Sequence, residues 1–189
     1  MDKRDKSRVI VGLGYQARTG KDSVADYLVN HGFVKRPFAE SLKGACREIF
    51  HLTTAQLYGD EKEKTDPFWT KSPRELLQWF GTDVLRQHAG DDIWVASLHR
   101  WLCLHPEQTR VVIPDVRFYN EATYIRDAGG ILVRCICLDG PTLEAPRAAH
   151  ASETSLATFE WPHTIVARYG ELSKLYERMD QVLALYALD

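Results

Sequence analysis

Short apolar runs that alternate with amphipathic stretches constrain the fold of this chain more than any other feature of its sequence. Such runs predict five β-strands, over 8–13, 33–38, 110–115, 131–138 and 163–167. Apolar strands that are separated by helical crossovers form a parallel sheet. The predicted fold is therefore α/β, with a parallel β-sheet flanked by helices on both faces. In such a sheet the ligand site lies beyond the carboxyl ends of the strands.

The stretches between the predicted strands carry helical patterns. The spacing of apolar residues predicts helices over 21–30, 41–50, 72–88, 91–104, 120–128 and 171–188. The start at Ser72 has local support, because Ser72 can cap the helix, Pro73 suits its first turn and Glu75 completes a capping box. Segments 58–71 and 139–149 are predicted to be loops. The last helix carries an apolar stripe that is expected to be core, formed by Leu172, Leu175, Tyr176, Met179, Val182, Leu183 and Tyr186.

Composition excludes several classes of protein. The chain has 24 lysines and arginines against 26 aspartates and glutamates, a net charge of −2, which argues against a nucleic-acid partner. No apolar run approaches the roughly 18 to 20 residues that span a bilayer. With no signal-peptide pattern either, we expect one domain over 1–189, no membrane partner and a cytoplasmic location. The four cysteines are expected to be buried free thiols rather than metal ligands: Cys46, Cys103, Cys135 and Cys137.

A glycine-containing segment, GYQARTGKDS over 14–23, joins the first predicted strand to the first predicted helix. Backbone N–H groups in such a loop, together with the positive end of the following helix, bind phosphate groups. Lys21 is placed to meet the outer phosphates of a nucleotide, and Arg18 adds a second cation. The segment is therefore predicted to bind phosphate, and an ordinary glycine-rich turn is the alternative.

This segment departs from the pattern G-x-x-x-x-G-K-[ST] at two positions. Tyr15 stands where the first glycine belongs, and Asp22 replaces the hydroxyl residue that binds Mg²⁺. Ser23 follows directly. Asp22 is therefore a candidate to hold the metal, either directly or through water.

A second polar cluster follows the predicted strand over 110–115. Asp115 is able to bind Mg²⁺ or its water, or to take a proton from an attacking oxygen. Arg117 is placed to meet a phosphate group. The alternative is an ion pair in a surface turn, but the neighbouring Lys21 loop favours the functional interpretation.

A third cluster lies on the predicted helix over 72–88. Gln78, Thr82 and Arg86 are four residues apart, so they form one polar row. Glutamine can bind a base edge, threonine a sugar or phosphate, and arginine a phosphate. Spacing alone favours an ordinary solvated helix face.

The order of motifs along most of the chain resembles the deoxynucleoside monophosphate kinases of large tailed phages. The likeness rests on RTGKDS at 18–23, Phe38-Ala39 with Leu42-Lys43, Pro73-Arg74 with Leu77-Gln78, Gly81-Thr82-Asp83 with Arg86, Trp94-Val95, Ile113-Pro114-Asp115-Val116-Arg117 with Asn120-Glu121, Gly129-Gly130, and His150-Ala151-Ser152-Glu153. It implies a P-loop NTPase fold of the nucleoside monophosphate kinase type. It also implies ATP as phosphoryl donor, Mg²⁺, and a deoxynucleoside monophosphate (dNMP) as the small-molecule acceptor.

The resemblance further implies roles for individual residues. The donor site would consist of Arg18, Thr19, Gly20, Lys21, Asp22 and Ser23, with Asp22, Ser23 and Asp115 as metal-binding residues. The catalytic residues would be Lys21, Asp115, Arg117 and Arg147, the last as an arginine of a short lid over about 139–152. A helical region over about 39–105 would carry much of the acceptor site. The implied substrate-binding residues are Phe38, Lys43, Gln78, Thr82, Arg86, Arg117, His150 and Glu153; Arg86 and Arg117 would hold the monophosphate, and His150 and Glu153 would also order the lid.

Two further functions stay open at this stage. One is a P-loop kinase that phosphorylates a hydroxymethylated base within phage DNA, and the other is a non-catalytic nucleotide-binding regulator, for which the unusual Tyr15 is the reason. Related kinases often have an asparagine where this chain has Arg168 and Tyr169, and either residue is a candidate to stack on the donor adenine. The sequence does not identify the base of the acceptor. The surface over 94–104, if exposed, is a candidate for pairing two subunits as a homodimer.

Overall fold

A computed structural model describes residues 8–14, 16–141 and 151–188, and the side chain of Ser152 is not described. The strands are β1 (Val9–Gly14), β2 (Val34–Lys35), β3 (Arg110–Val116), β4 (Ile131–Cys137) and β5 (His163–Ala167). They form a parallel sheet in the order β2-β3-β1-β4-β5. The predicted parallel sheet is therefore confirmed.

The helices fall where the apolar spacing predicts most of them. They are α1 (Lys21–Asn30), α2 (Ala39–Phe50), α3 (Thr54–Tyr58), α4 (Pro73–Gln78), a π-helix (Trp79–Arg86), α5 (Gln87–Ala89), α6 (Ile93–Leu104), α7 (Tyr119–Asp127), α8 (Ala151–Thr154) and α9 (Leu172–Ala184). The predicted capping box is present, since Ser72 Oγ accepts from the Glu75 N–H at 3.3 Å and the Glu75 carboxylate accepts from the Ser72 N–H at 2.7 Å.

The described chain divides into two compact units. Unit 2 is Phe38–Leu104, and unit 1 consists of the described residues before and after it. Unit 2 covers nearly the same residues as the predicted helical region over 39–105. The prediction of one kinase domain over 1–189 stays a prediction. Within the described residues, no helix has the length and apolar character that crossing a bilayer requires.

Unit 1 is built on the sheet, with helices on both faces. Val11 and Leu13 of β1 are fully buried in a cluster with residues of α1 and α9. Because side chains alternate along a strand, Gly12 faces the opposite side. There a Cβ on Gly12 would lie 2.7 Å from Ile125 of α7. The sheet is thus covered on both faces, and its carboxyl ends are left to carry the loops.

The structure corrects several expectations about elements. The second strand is only two residues long, because Pro37 cannot donate to the ladder and the Arg36 N–H makes the last bond, to Val112 O at 2.9 Å. Segment 58–71 is not simply a loop, since α3 ends at Tyr58 and a β-bridge joins Asp66 to Lys71.

Two expectations about burial were also wrong in part. Cys46 and Cys135 are buried, but Cys137 is half-buried, and Cys103 is exposed because it lies on the outer face of α6 beside His99. In the predicted stripe Leu175, Met179, Val182 and Leu183 are buried and Tyr176 is half-buried, whereas Leu172 and Tyr186 at its ends are exposed. In α6 the residues Trp94, Leu98 and Leu102 are buried, Ile93, Val95 and Trp101 are half-buried, and Leu104 is exposed.

Candidate active site

The predicted phosphate-binding loop connects the end of β1 at Gly14 to the start of α1 at Lys21. Gly20 caps α1 with a φ of 87°, a left-handed conformation that glycine adopts without strain. Thr19 Oγ1 donates to Gln16 O at 3.1 Å and stabilises the turn before it. The first N–H groups of a helix have no partner within the helix, and the helix dipole adds positive potential at the same end. The loop therefore presents an anion-binding surface.

Lys21 lies buried beneath this loop, with 5% of its surface exposed. Its Nζ donates to Gln16 O and lies 3.4 Å from Thr19 Oγ1. The pKa of Lys21 is lowered from 10.5 to about 8, first by burial and then by the positive charge of Arg117, while Cys135, Asp22 and Glu153 act in the opposite direction. A phosphate group that binds here stabilises the charged form of this lysine strongly, because its negative charge replaces the solvation by water that burial has removed.

A cavity of about 570 Å³ opens beside the loop within unit 1. Its walls are residues 18–23 of the loop and start of α1, the end of β4, and residues 167–172 between β5 and α9. Its volume falls in the range of about 300–1,000 Å³ that small-molecule sites occupy. It lies at the carboxyl ends of the strands, where ligands bind in open parallel sheets. Arg168 and Tyr169 line it, and Arg168 also pairs with Asp139 at 3.2 Å.

The candidate metal ligands occupy two strand ends. Ser23 is half-buried and Asp22 is exposed, and both line the cavity. The Asp22 carboxylate lies 3.1 Å from Lys35 Nζ. Asp115 is half-buried near the end of β3. The β1–β3 register pairs Val116 with Gly14, so Asp115 lies alongside the strand from which the loop departs.

These donors fit Mg²⁺ better than a transition metal. Mg²⁺ commonly takes only one or two carboxylates and completes its shell with water and phosphate oxygens. Asp22 and Ser23 at the cavity and Asp115 near the end of the neighbouring strand offer two carboxylates and a hydroxyl, which meet that requirement. In the part of the chain that the structure describes, no group of three or more His, Cys, Asp or Glu residues forms a ready-made metal cage.

Two carboxylates bind Arg117, one at its backbone N–H and the other at its guanidinium. Glu121, which is 2% exposed, accepts from the N–H groups of Arg117 at 2.8 Å and Phe118 at 3.1 Å. Glu153, which is 6% exposed, pairs with the Arg117 guanidinium through Oε1, and its Oε2 accepts from the Ala17 N–H at 2.8 Å. Glu153 thereby joins Arg117 to the phosphate-binding loop.

Sequence reasoning missed these supporting roles. Glu121 did leave a signal, because an acidic residue at the third position of a helix start commonly accepts from nearby backbone N–H groups. No local pattern indicates Glu153 as a partner of Ala17. Trp161 left no signal either: its indole packs so closely on Gly14 that a Cβ there would lie 1.9 Å from the ring.

The predicted acceptor residues of unit 2 lie on irregular helical structure. The segment Trp79–Arg86 is a π-helix, so the expectation of a simple α-helix over 72–88 is wrong there. Gln78 and Thr82 are half-buried, whereas Arg86 is 7% exposed and donates from Nη1 to Asp91 O at 2.6 Å. π-Helical turns are rare and often occur at functional sites.

The remaining predicted residues are placed as follows. Phe38 is buried, and Lys43 Nζ lies 4.1 Å from the centre of the Tyr58 ring. Arg147 and His150, most of the predicted lid over 139–152, and Tyr15 lie outside the described residues.

The parallel sheet, the loop between β1 and α1 and the buried lysine at the start of α1 define the class, an α/β protein with a loop of the phosphate-binding type. The fold has a solved counterpart in TT1252 from Thermus thermophilus, with a TM-score of 0.50, 18% identity and coverage of 95% of this chain and 98% of that one. That likeness concerns the fold alone.

Sequence comparison gives the family within this class. A family model described as deoxynucleotide monophosphate kinase matches residues 61–179, and the chain belongs to that family. A putative deoxynucleotide monophosphate kinase of Acanthamoeba polyphaga mimivirus is 31% identical over 185 residues, covering 90% of this chain and 94% of the relative. A deoxynucleoside-5'-monophosphate kinase of Escherichia phage T5 is 26% identical over 128 residues, which cover 66% of this chain and 51% of that protein. The resemblance seen in the motifs, and the class of phosphotransferase it implies, are thus confirmed.

Proposed function

We propose that the protein transfers the γ-phosphoryl group of ATP to the phosphate of a dNMP, giving ADP and a deoxynucleoside diphosphate. A phosphate oxygen of the acceptor attacks the γ-phosphorus, and the bond from that phosphorus to the β-γ bridging oxygen breaks. The observation that carries this proposal is buried Lys21 at the start of α1, facing a cavity of nucleotide size and lying within electrostatic reach of Arg117. Family membership supports the acceptor class.

On the donor side, the chain's task is to bind and orient the triphosphate. The N–H groups at the start of α1 and the Lys21 ammonium would bind its oxygens, and the cavity walls at 167–172 would receive the base. The proposal that Tyr169 or Arg168 stacks on adenine is supported by their position in these walls. Asp22, Ser23 and Asp115 would hold Mg²⁺, which neutralises phosphate charge when it is bound.

On the acceptor side, Arg117 would bind the monophosphate. A guanidinium binds two phosphate oxygens at once, so it neutralises the anion and fixes its orientation. An oxygen of a phosphate monoester is already an adequate nucleophile, so no strong general base is required. The rate enhancement would come from positioning the two substrates and neutralising charge as the phosphoryl group moves. The roles of Gln78, Thr82, Arg86, Phe38 and Lys43 at the acceptor stay predictions.

A turnover assay with a panel of acceptors tests the proposal. Purified protein is mixed with labelled ATP, Mg²⁺ and each natural or modified dNMP, and the labelled diphosphate is measured beside ADP release. Duplex DNA that contains hydroxymethylated bases forms a second arm. Label transferred to DNA alone would favour the DNA kinase, and nucleotide binding without turnover on any acceptor would favour the regulator.

Two variants test the residues that carry the mechanism. We expect Lys21→Ala and Arg117→Ala each to lower kcat/KM by about 100-fold or more, the usual scale for removing one charged group that stabilises a transition state. Arg178→Ala is the matched control, because Arg178 is an exposed arginine of α9 in the same unit. Rates like the wild type in both test variants would contradict the mechanism.

A further inference from the structure

The contacts of Glu153 go beyond the role that its place among the motifs implies. Its carboxylate is buried and bonded through both oxygens, one to the Ala17 N–H of the phosphate-binding loop and the other to the Arg117 guanidinium. A buried carboxylate requires such partners, because its ionised form is costly away from water. In this arrangement its oxygens are engaged by the protein itself.

The charges around Glu153 explain what such a contact achieves. Arg117 and Lys21 are both cations, and the charge of Arg117 disfavours protonated Lys21, whereas the charge of Glu153 favours it. Two cations that must both face phosphate groups repel each other until those groups arrive. A carboxylate tied to the loop supplies a counter-charge in advance and also sets the direction of the guanidinium.

We propose that Glu153 is a positioning residue that holds the Arg117 guanidinium against the phosphate-binding loop, so that Arg117 meets the acceptor phosphate in the productive place. The proposal rests on the proposed function of Arg117. Glu121 completes the arrangement, since it fixes the backbone of the same arginine through the N–H groups of Arg117 and Phe118. One carboxylate sets the position of the backbone, and the other sets that of the guanidinium.

Glu153→Gln separates the two contacts of this carboxylate. The amide oxygen of glutamine still accepts from the Ala17 N–H, but the side chain no longer carries the charge that pairs with Arg117. We expect kcat for dNMP to fall by about 10-fold or more, while KM for ATP changes less than threefold. Glu160→Gln is the matched control, because Glu160 is an exposed glutamate in the same unit, and its kinetics should equal those of the wild type.

A double-mutant cycle distinguishes positioning from an independent effect. If Glu153 acts through Arg117, the variant with both Arg117→Ala and Glu153→Gln is as slow as Arg117→Ala alone. The effect of Glu153→Gln on the melting temperature should have opposite signs in the wild type and in Arg117→Ala. Glu153→Gln lowers the melting temperature of the wild type but raises that of Arg117→Ala, because it removes a buried charge that has lost its partner.

Either of two kinetic results would overturn the proposal. They are kinetics like the wild type in Glu153→Gln, or rate losses that multiply in the double variant. If Glu153→Gln does not fold, the same cycle with Glu153→Asp, which retains the charge but shortens the side chain, is judged by the same kinetic criteria and not by the melting temperatures. The Arg117 side-chain NMR resonance, assigned by its loss in Arg117→Ala, reports the contact without turnover. It should shift in Glu153→Gln and not in Glu160→Gln, and an unchanged resonance would also overturn the proposal.

The NMR readout separates this proposal from the proposed function. If the wild type phosphorylates none of the dNMPs while the resonance still shifts, the proposed function fails and the contact itself stands. If the wild type is active and the cycle is additive, the role of Glu153 fails and the proposed function stands.

Discussion

Gly14→Ala tests how closely the end of β1 is packed where the phosphate-binding loop begins. An added Cβ would lie 1.9 Å from Cη2 of Trp161 and within 2.8 Å of Cζ2 and Cζ3. Carbon atoms in ordinary contact are about 3.5–4.0 Å apart, so the indole or the strand must move by roughly 2 Å. Overpacking of this kind costs about 1–3 kcal/mol. We expect a loss near 2 kcal/mol, which in a chain of this size lowers the melting temperature by about 4–8 °C.

The assay combines thermal unfolding with the KM for ATP. Because Gly14 is the last residue of β1 before the loop, displacement of its backbone should also raise the KM for ATP. Gly44→Ala is the matched control: Gly44 lies inside α2, and a Cβ there meets nothing within 4 Å. It should stabilise the protein by up to about 1 kcal/mol, the gain in helix propensity.

A second substitution checks the cause. The atoms that would clash belong to the six-membered ring of the Trp161 indole, and phenylalanine does not reach as far. Trp161→Phe should therefore recover part of the stability lost in Gly14→Ala, so the two effects are not additive. The reasoning is refuted if Gly14→Ala melts at or above the wild-type temperature, or if the two losses simply add.

Two further predictions concern a titration and a hydrogen bond. Because the pKa of Lys21 is lowered to about 8, ATP affinity measured by calorimetry without acceptor should fall as the pH rises through 8, and Lys21→Met should lack this transition. The free energy of unfolding should also rise as the pH increases from about 8 to 10.5, because over that range the unfolded chain binds the Lys21 proton more tightly than the folded chain does. Trp94→Phe removes the bond from Nε1 to Gly81 O at 3.1 Å beside the π-helix and should cost about 1–2 kcal/mol of unfolding free energy, whereas an unchanged melting temperature would show that this bond does not stabilise the π-helix.

The sheet was predictable because its strands are short, apolar and buried on both faces. Runs of this kind can be recognised from consecutive apolar residues in the sequence. The predicted strands therefore begin and end close to the observed ones, except at β2. The helix starting after Ser72 was predictable for another reason, since its capping box uses only neighbouring residues. Signals that depend on burial of one segment or on adjacent side chains can be recognised in the sequence alone.

The π-helix was not predictable from such signals. No propensity scale separates it from an α-helix, and its surroundings are tertiary. A Cβ on Gly81 would lie 2.5 Å from Leu42, and the Gly81 carbonyl accepts from the Trp94 indole. Those contacts join three segments of unit 2 that lie far apart in the sequence. The spacing of Gln78, Thr82 and Arg86 therefore predicted a row of residues but not the backbone that carries it.

The candidate site shows the same division between local and tertiary information. Lys21 and Arg117 each follow a strand closely, so the topology alone predicts that both lie at the carboxyl edge of the sheet. Glu153 is separated from Arg117 by 36 residues and from Ala17 by 136, and no periodicity relates the three. Its role follows from charge instead. Two cations that are brought together away from water need a nearby carboxylate, and in the described part of unit 1 Glu153 is a buried carboxylate that contacts both Arg117 and the loop above Lys21. A phosphate-binding site can thus be recognised in a structure by the buried carboxylate that pairs with its cations, as well as by the cations themselves.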